Sequence, residues 1–190
     1  LFPVGGSGGT LHIVSKEHYS DPDYLLEYLN AQAVSYIKIT PSLLSILIES
    51  DLFNQENLEL LDTIILGGES INVSDVKVSK AKHPAVRLMN HYGPTETTVG
   101  TIASFIEDLT SFTSRPIIGS PINNNNVYIL NNAQELQGIG VVGEICIGGK
   151  GLARGYLNRE EVTKEKGMSH PFKAGERIYK TGDLGRWLAD

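Results

Sequence analysis

Apolar and polar positions alternate along residues 10–104 in a pattern that predicts strands separated by helices. The apolar runs with the length of a strand lie at 10–14, 34–39, 63–66 and 86–89. A proline directly after a capping side chain predicts helices that begin at Pro22 and Pro41, and a third helix is expected from about Val73. Strands that alternate with helices are typical of an open, mainly parallel α/β sheet with flanking helices.

The pattern changes after residue 104. Short strands at 127–130 and 143–147 are separated by tight turns, and glycine is frequent in this half. Such an arrangement is typical of a small β barrel or sandwich. We therefore expect an α/β part at 1–110, followed by a β-rich, barrel-like part at 111–190.

Composition and charge narrow the function classes. The net charge of −6 argues against a nucleic-acid partner, since no basic stripe is visible. No apolar run has the length of a membrane span, so no membrane partner is expected. The single cysteine, Cys146, excludes an internal disulfide and lies in an apolar run, which predicts a buried structural thiol and a cytoplasmic protein.

Three segments place glycines and polar side chains directly after a predicted strand. They are 67–70 (Gly-Gly-Glu-Ser), 90–98 and 179–184. Ligands of open α/β sheets bind outside the carboxyl ends of the strands, and glycine allows a backbone to approach a flat ligand closely. Each segment alone is equally typical of a tight or capped turn. Zinc-ligand spacings and a Walker A pattern are absent from the sequence.

Taken together, three motifs resemble a known family. NHYGPTETT at 90–98, GEICIGGKGLARGYLNR at 143–159 and YKTGDLGRW at 179–187 are similar, in sequence and in order, to core motifs of nonribosomal peptide synthetase adenylation domains. The resemblance covers essentially the whole chain. It implies that an amino acid is activated with ATP to an aminoacyl adenylate and then loaded on the phosphopantetheine thiol of a carrier protein. Peptidyl carrier and condensation domains of the same synthetase are the implied partners.

The resemblance also implies a site for ATP and Mg²⁺. Tyr92 would stack on the adenine ring, and Asp183 would accept hydrogen bonds from the ribose hydroxyls. Thr95 would contact the α-phosphate and Glu96 would hold Mg²⁺, which makes these two the implied catalytic residues. The implied nucleotide-binding residues are Gly67, Gly68, Glu69, Asn90, Tyr92, Gly93, Thr95 and Asp183. Segment 148–156 is expected to support the site without touching ATP.

An amino-acid pocket follows from the same alignment of motifs. Its implied lining consists of Lys38, Ile65, Gly67, His91, Val99 and Gly100. Lys38 ends an apolar strand, so it is either a solvated strand end or a buried cation that needs an anionic ligand. Together with His91 it favours a short acidic substrate side chain, with aspartate first and asparagine next.

Several parts of the family pattern do not occur in this sequence. The resemblance implies that the phosphate-binding loop and the aspartate for the α-amino group would precede Leu1. The lid with its catalytic lysine would follow Asp190. The chain begins without methionine, and we expect an internal segment that is inactive by itself. The alternatives are a carboxylate–CoA or D-alanine–carrier ligase of the same superfamily, and a degenerate, non-catalytic adenylation-like module.

Overall fold

A computed structural model describes residues 6–107 and 117–189. The elements of the first part are α1 (Lys16–Tyr19), α2 (Pro22–Ala31), β1 (Tyr36–Ile39), α3 (Pro41–Leu47), β2 (Thr63–Gly67), α4 (Val73–Lys82), β3 (Arg87–Tyr92), a 3-10 helix (Thr95–Thr97), β4 (Ile102–Phe105) and β5 (Ser120–Pro121). The second part consists of β6 (Asn125–Leu130), β7 (Gly143–Gly149), α5 (Glu160–Lys166), β8 (Gly167–Ser169) and β9 (Arg177–Gly185).

The first sheet has the strand order β1-β2-β3-β4-β5. Strands β1, β2 and β3 run parallel, whereas β4 and β5 are antiparallel to their neighbours. The predicted open α/β sheet is confirmed, and β1, β2 and β3 form its parallel part. In this register Lys38 pairs with Ile65, and Gly67 pairs with His91. The carboxyl ends of three strands therefore meet at one edge, where the polar turns follow.

The predicted helix starts are confirmed, because capping side chains satisfy backbone N–H groups of the first turn. The residues that precede the helices are Asp21, Thr40 and Asn72, and the side-chain oxygen of each accepts at least one of these N–H groups. Helices α2 and α3 also have proline in their first turn, where a backbone donor would have no intrahelical partner.

A single apolar core joins the first sheet to its helices. Leu26 of α2, Leu44 and Leu47 of α3, and Ile64 and Leu66 of β2 are all buried in it. Strand β2 contributes buried residues on both faces, as expected of a central parallel strand.

Shortening Leu66 tests how closely this core is packed. Leu66 is fully buried, so Leu66→Ala should lower the free energy of unfolding by about 3 kcal/mol through lost burial and a residual cavity. Leu60→Ala is the matched control, because Leu60 is 60% exposed. Urea unfolding of both variants measures the difference, and equal losses would contradict the packing described here.

The second sheet is antiparallel, with the order β6-β7-β9-β8. Within the described ranges its outer strands do not pair, so it forms an open sheet without closing into a barrel. Ile145 and Ile147 lie on the face that packs against Tyr92, whereas Cys146 and Ile178 lie on the other face. The predicted burial of the thiol is confirmed, since Cys146 is 1% exposed.

Besides the open second sheet, which was expected to be barrel-like, two elements differ from the sequence-based expectations. The run 10–14 forms no strand, and Ile13 is 85% exposed, since no neighbouring strand pairs with this segment within the described residues. Helix α5 was not expected, because it buries no residue and therefore lacks an apolar stripe.

The proposed boundary between 110 and 111 lies outside the described residues and stays a prediction. Strand β5, beyond it, pairs with β4 of the first sheet. No helix within 6–107 and 117–189 is both long enough and apolar enough to cross a membrane.

Candidate active site

Lys38 and His91 meet at the carboxyl edge of the parallel strands, although 53 residues separate them in sequence. Lys38 Nζ lies 3.2 Å from His91 Nδ1. Because an ammonium group only donates, this contact requires a neutral imidazole that accepts at Nδ1. Partial desolvation lowers the pKa of Lys38, although its side chain stays largely exposed. Burial together with the charge of Lys38 lowers the pKa of His91. The edge therefore presents an ammonium group beside a neutral imidazole.

No carboxylate of the described residues lies within ion-pair distance of Lys38. The Lys38 side chain is exposed at the sheet edge, as expected if it is a solvated strand end. Its ammonium group also contacts His91, which is another predicted pocket residue. An anionic ligand could bind at this cation without displacing a protein carboxylate.

Two glycines allow the His91 ring and backbone to occupy this position. A Cβ atom added at Gly100 would lie 1.7 Å from His91 Cε1, inside the ring's own volume. A Cβ atom added at Gly67 would lie 2.6 Å from the His91 carbonyl oxygen. Glycine at 67 and 100 is thus a steric requirement for this placement of His91.

The remaining predicted pocket residues lie on either side of these groups. Ile65 is partly buried and pairs with Lys38 across β1 and β2. Val99 is 54% exposed and follows the 3-10 helix, directly before Gly100. The structure thus places all six predicted pocket positions along β1, β2, β3 and the turn that follows β3.

A hydrogen bond joins the second and third motifs. Tyr92, the last residue of β3, donates from its hydroxyl to Asp183 Oδ2 at 2.5 Å. Burial, and then the Asp183 carboxylate, raises the pKa of Tyr92. Asp183 is positioned in turn by Thr181, whose hydroxyl accepts from the Asp183 N–H at 3.0 Å and donates to the Ile145 carbonyl at 2.8 Å. Tyr92 and Asp183, the residues predicted to contact adenine and ribose, are therefore neighbours, although they belong to different sheets.

Glu96 lies in the 3-10 helix and accepts a hydrogen bond from the Tyr156 hydroxyl. The hydroxyls of Tyr156 and Tyr179 are 3.2 Å apart. The Tyr156 hydrogen bond is the largest of the effects that lower the pKa of Glu96. Sequence reasoning assigned segment 148–156 to structural support and so missed this contact. A tyrosine after a glycine-rich turn carries no chemical signal, and only the folded chain brings it to Glu96.

An ionised, hydrogen-bonded carboxylate at Glu96 fits the role of a Mg²⁺ ligand. Mg²⁺ is commonly held by one or two carboxylates together with substrate phosphates and water. The described residues contain no group of three or more side chains that could hold a metal ion alone.

Two predicted nucleotide-binding side chains have partners within the fold. Glu69 accepts hydrogen bonds from the Ser42 N–H and hydroxyl, at 3.0 and 3.1 Å, and so caps α3. The Asn90 amide is 6% exposed and donates to the Ile117 carbonyl at 3.0 Å. These two side chains stabilise the edge of the site, and the structure does not direct them towards the Tyr92–Asp183 pair.

The other predicted positions lie at the turns. Gly68 has a φ of +89°, which suits glycine, directly after β2. Gly93 packs so closely on the following turn that an added Cβ atom would lie 2.8 Å from the Thr101 nitrogen. Thr95 is exposed at the start of the 3-10 helix, one residue before Glu96.

Removing the Tyr156 hydroxyl should change the acidity of Glu96. In Tyr156→Phe the pKa of Glu96 should rise towards its ordinary value, as measured by carboxyl ¹³C NMR. Because the folded pKa lies below the unfolded one, this bond stabilises the fold above the unfolded pKa. The contribution disappears as the pH falls through the folded pKa.

The stability difference between wild type and Tyr156→Phe should therefore be larger at pH 7 than under acidic conditions. The matched control is Tyr128→Phe, since the Tyr128 ring packs against His170 instead. An unchanged Glu96 titration in Tyr156→Phe would contradict this assignment.

The sequence of this chain is similar to those of known proteins. The family model described as AMP-binding enzyme matches residues 1–157. The chain belongs to the AMP-binding enzyme family. Bacitracin synthase 3 of Bacillus licheniformis is 44% identical over 100% of the chain. Surfactin synthase subunit 2 of Bacillus subtilis (strain 168) is 42% identical, also over 100% of the chain.

Solved structures of similar fold agree with these sequence matches. The crystal structure of holo-AB3403, a four-domain nonribosomal peptide synthetase bound to AMP and glycine, has a TM-score of 0.83 and 34% identity. That match covers 96% of this chain and 13% of AB3403. The chain spans only 3% and 5% of the length of the two curated relatives. The resemblance to adenylation domains of nonribosomal peptide synthetases is confirmed.

Proposed function

We propose that this protein activates an amino acid with ATP, as part of a nonribosomal peptide synthetase. The observation that carries the proposal is that two side-chain pairs meet at consecutive residues of β3. His91 contacts Lys38, and Tyr92, the last residue of β3, donates a hydrogen bond to Asp183. An amino acid and a nucleotide bound at these pairs would be neighbours.

The proposed chemistry is an in-line displacement at phosphorus. A carboxylate oxygen of the amino acid attacks the α-phosphorus of ATP, and the bond from that phosphorus to the bridging oxygen breaks. The products are an aminoacyl adenylate and pyrophosphate. Such a reaction depends mainly on positioning and on neutralising the charge of the phosphates.

The side chains of the turn suit these two tasks. Thr95 would contact the α-phosphate with its exposed hydroxyl. Glu96, whose pKa the Tyr156 hydrogen bond lowers, would hold the Mg²⁺ that accompanies ATP. Asp183 would exchange its bond from Tyr92 for bonds from the ribose hydroxyls. Stacking of adenine on Tyr92 would use the ring that already packs against the second sheet.

Aspartate is the proposed substrate. Its side-chain carboxylate would accept from the Lys38 ammonium, which lacks a protein carboxylate partner in the described ranges. With Nδ1 of His91 accepting, Nε2 carries the proton and can donate to the same ligand. Asparagine offers an amide oxygen in the same place but no charge, so it should be a weaker substrate.

The second proposed step transfers the activated amino acid. The phosphopantetheine thiol of a carrier domain attacks the aminoacyl carbonyl carbon, and AMP leaves. Carrier and condensation domains are the proposed partners, since the curated relatives are synthases far longer than this chain.

The single cysteine of the sequence supports a reducing location such as the cytoplasm.

Amino-acid-dependent ATP–pyrophosphate exchange tests the proposal on the protein as its gene encodes it. Across all common amino acids, aspartate should give the highest rate and asparagine the next. Another preferred amino acid would keep the reaction and reject the aspartate assignment. Exchange with no amino acid would favour a CoA ligase or a non-catalytic module. Residues 1–190 alone should give no exchange, because the implied phosphate loop and lid are not among them.

A further inference from the structure

Thr98 and Val99 form a strained turn directly before Gly100. Thr98 has φ 66° and ψ 46°, and Val99 has φ 66°, so both lie in the left-handed region. Side chains branched at Cβ rarely adopt this conformation, and two in succession are exceptional. Such strain persists only where the surrounding structure holds it, and it is concentrated at functional sites.

The contacts that hold this turn come from the segment that follows β7. The Thr98 hydroxyl donates to the Gly151 carbonyl at 2.7 Å, and the Ala153 N–H donates to the Glu96 carbonyl at 2.7 Å. A Cβ atom added at Gly151 would lie 3.1 Å from the Thr97 carbonyl, so the two segments pack closely. Residues 151–153 thus brace the turn from the side of the second sheet.

Hydrogen bonds within the turn complete the arrangement. The Val99 N–H donates to the Pro94 carbonyl at 3.3 Å, and the Gly100 N–H donates to the Thr98 carbonyl at 2.7 Å. These bonds fix the path of the chain within the turn. The Thr98 hydroxyl is the side-chain donor that links the turn to residues 151–153. Loss of that hydroxyl would remove the side-chain link from the strained pair to the second sheet, whereas the backbone bond from Ala153 to Glu96 would remain.

We infer that Thr98 is a positioning residue of the amino-acid pocket, acting through Val99 and Gly100 on His91. This inference rests on the proposed function, because it assigns those residues to the substrate pocket. Gly100 can lie under the His91 ring only while the turn keeps its present path, since the two are in direct contact. The Thr98–Gly151 hydrogen bond therefore sets where the imidazole lies beside Lys38.

Two variants of the full protein separate the hydroxyl from the shape of the side chain. Thr98→Val keeps the branched shape and removes the donor, whereas Thr98→Ser keeps the donor. In exchange assays, Thr98→Val should raise KM for the preferred amino acid about tenfold. It should leave KM for ATP nearly unchanged, and Thr98→Ser should behave like wild type. Equal rises in both KM values without rescue by serine, or no change in Thr98→Val, would overturn the inference.

Crystal structures of wild type and Thr98→Val give a readout that does not depend on activity. The valine variant should show residues 98–99 outside the left-handed region and the His91 ring displaced from Gly100. An unchanged turn and ring would overturn the inference. If wild type prefers another amino acid, the KM comparison uses that amino acid and only the aspartate assignment fails. If wild type activates none, the proposed function fails and the crystal structures decide the role of Thr98.

Discussion

Lys38→Ala should lower kcat/KM for aspartate about a hundredfold in ATP–pyrophosphate exchange, and should leave KM for ATP close to its wild-type value. The variant removes the ammonium group that we propose as the partner of the substrate carboxylate. His91 remains, and burial still lowers the pKa of its imidazole, so the variant lacks the positive charge that Lys38 supplies. Asparagine should lose much less, since its amide does not depend on a cation. The aspartate-to-asparagine ratio is therefore the decisive measurement.

Lys77→Ala is the matched control for Lys38→Ala. Lys77 is an exposed lysine of α4, so its loss changes the net charge equally without affecting the carboxyl edge of the sheet. Both variants should unfold at similar urea concentrations. Equal losses for aspartate and asparagine in Lys38→Ala, or equal effects of the two variants, would remove Lys38 from the pocket.

Gly100→Ala should also cause a loss of about a hundredfold in kcat/KM for the amino acid. The added methyl group would lie 1.7 Å from His91 Cε1, so the ring has to leave its position beside Lys38. The effect should appear mainly in the amino-acid parameters, because the atoms nearest to an added Cβ at Gly100 are those of the His91 ring.

The control for Gly100→Ala is Gly138→Ala. An added Cβ atom at Gly138 meets no atom within 4 Å, so this variant should retain wild-type exchange. A ¹⁵N NMR spectrum of the His91 ring should change in Gly100→Ala and stay unchanged in Gly138→Ala. Full activity of Gly100→Ala would show that the position of the His91 ring does not matter for activation.

The regular elements of the first sheet were predictable because local signals and tertiary packing agree there. Capping by Thr40 with proline at 41, and the apolar run 63–66, need little tertiary information to be interpreted. Residues 10–14 carry the same apolar signal, but a strand also requires a partner, and none pairs with them in the described structure. Helix α5 lies on the surface, so its sequence lacks the apolar periodicity that would have revealed it.

The candidate site was predictable in its positions but not in its contacts. The motifs predicted Glu96 and Asp183 individually. Their hydrogen bonds from Tyr156 and Tyr92 depend on how the two sheets pack and could not be predicted. The strained pair 98–99 is invisible in sequence, because threonine and valine usually indicate a strand. Proximity of Lys38 to His91 could be expected only from the resemblance, since it follows from the register of three parallel strands.

Burial of Cys146 makes the thiol a reporter of unfolding. At 1% exposure, and with burial raising the pKa of its thiol to about 11, it stays protonated and inaccessible at neutral pH. A thiol reagent should therefore modify this chain only when the second sheet opens. The rate of modification then measures how often strand β7 separates from its neighbours. Cysteines introduced at exposed positions could be labelled selectively without first removing this one.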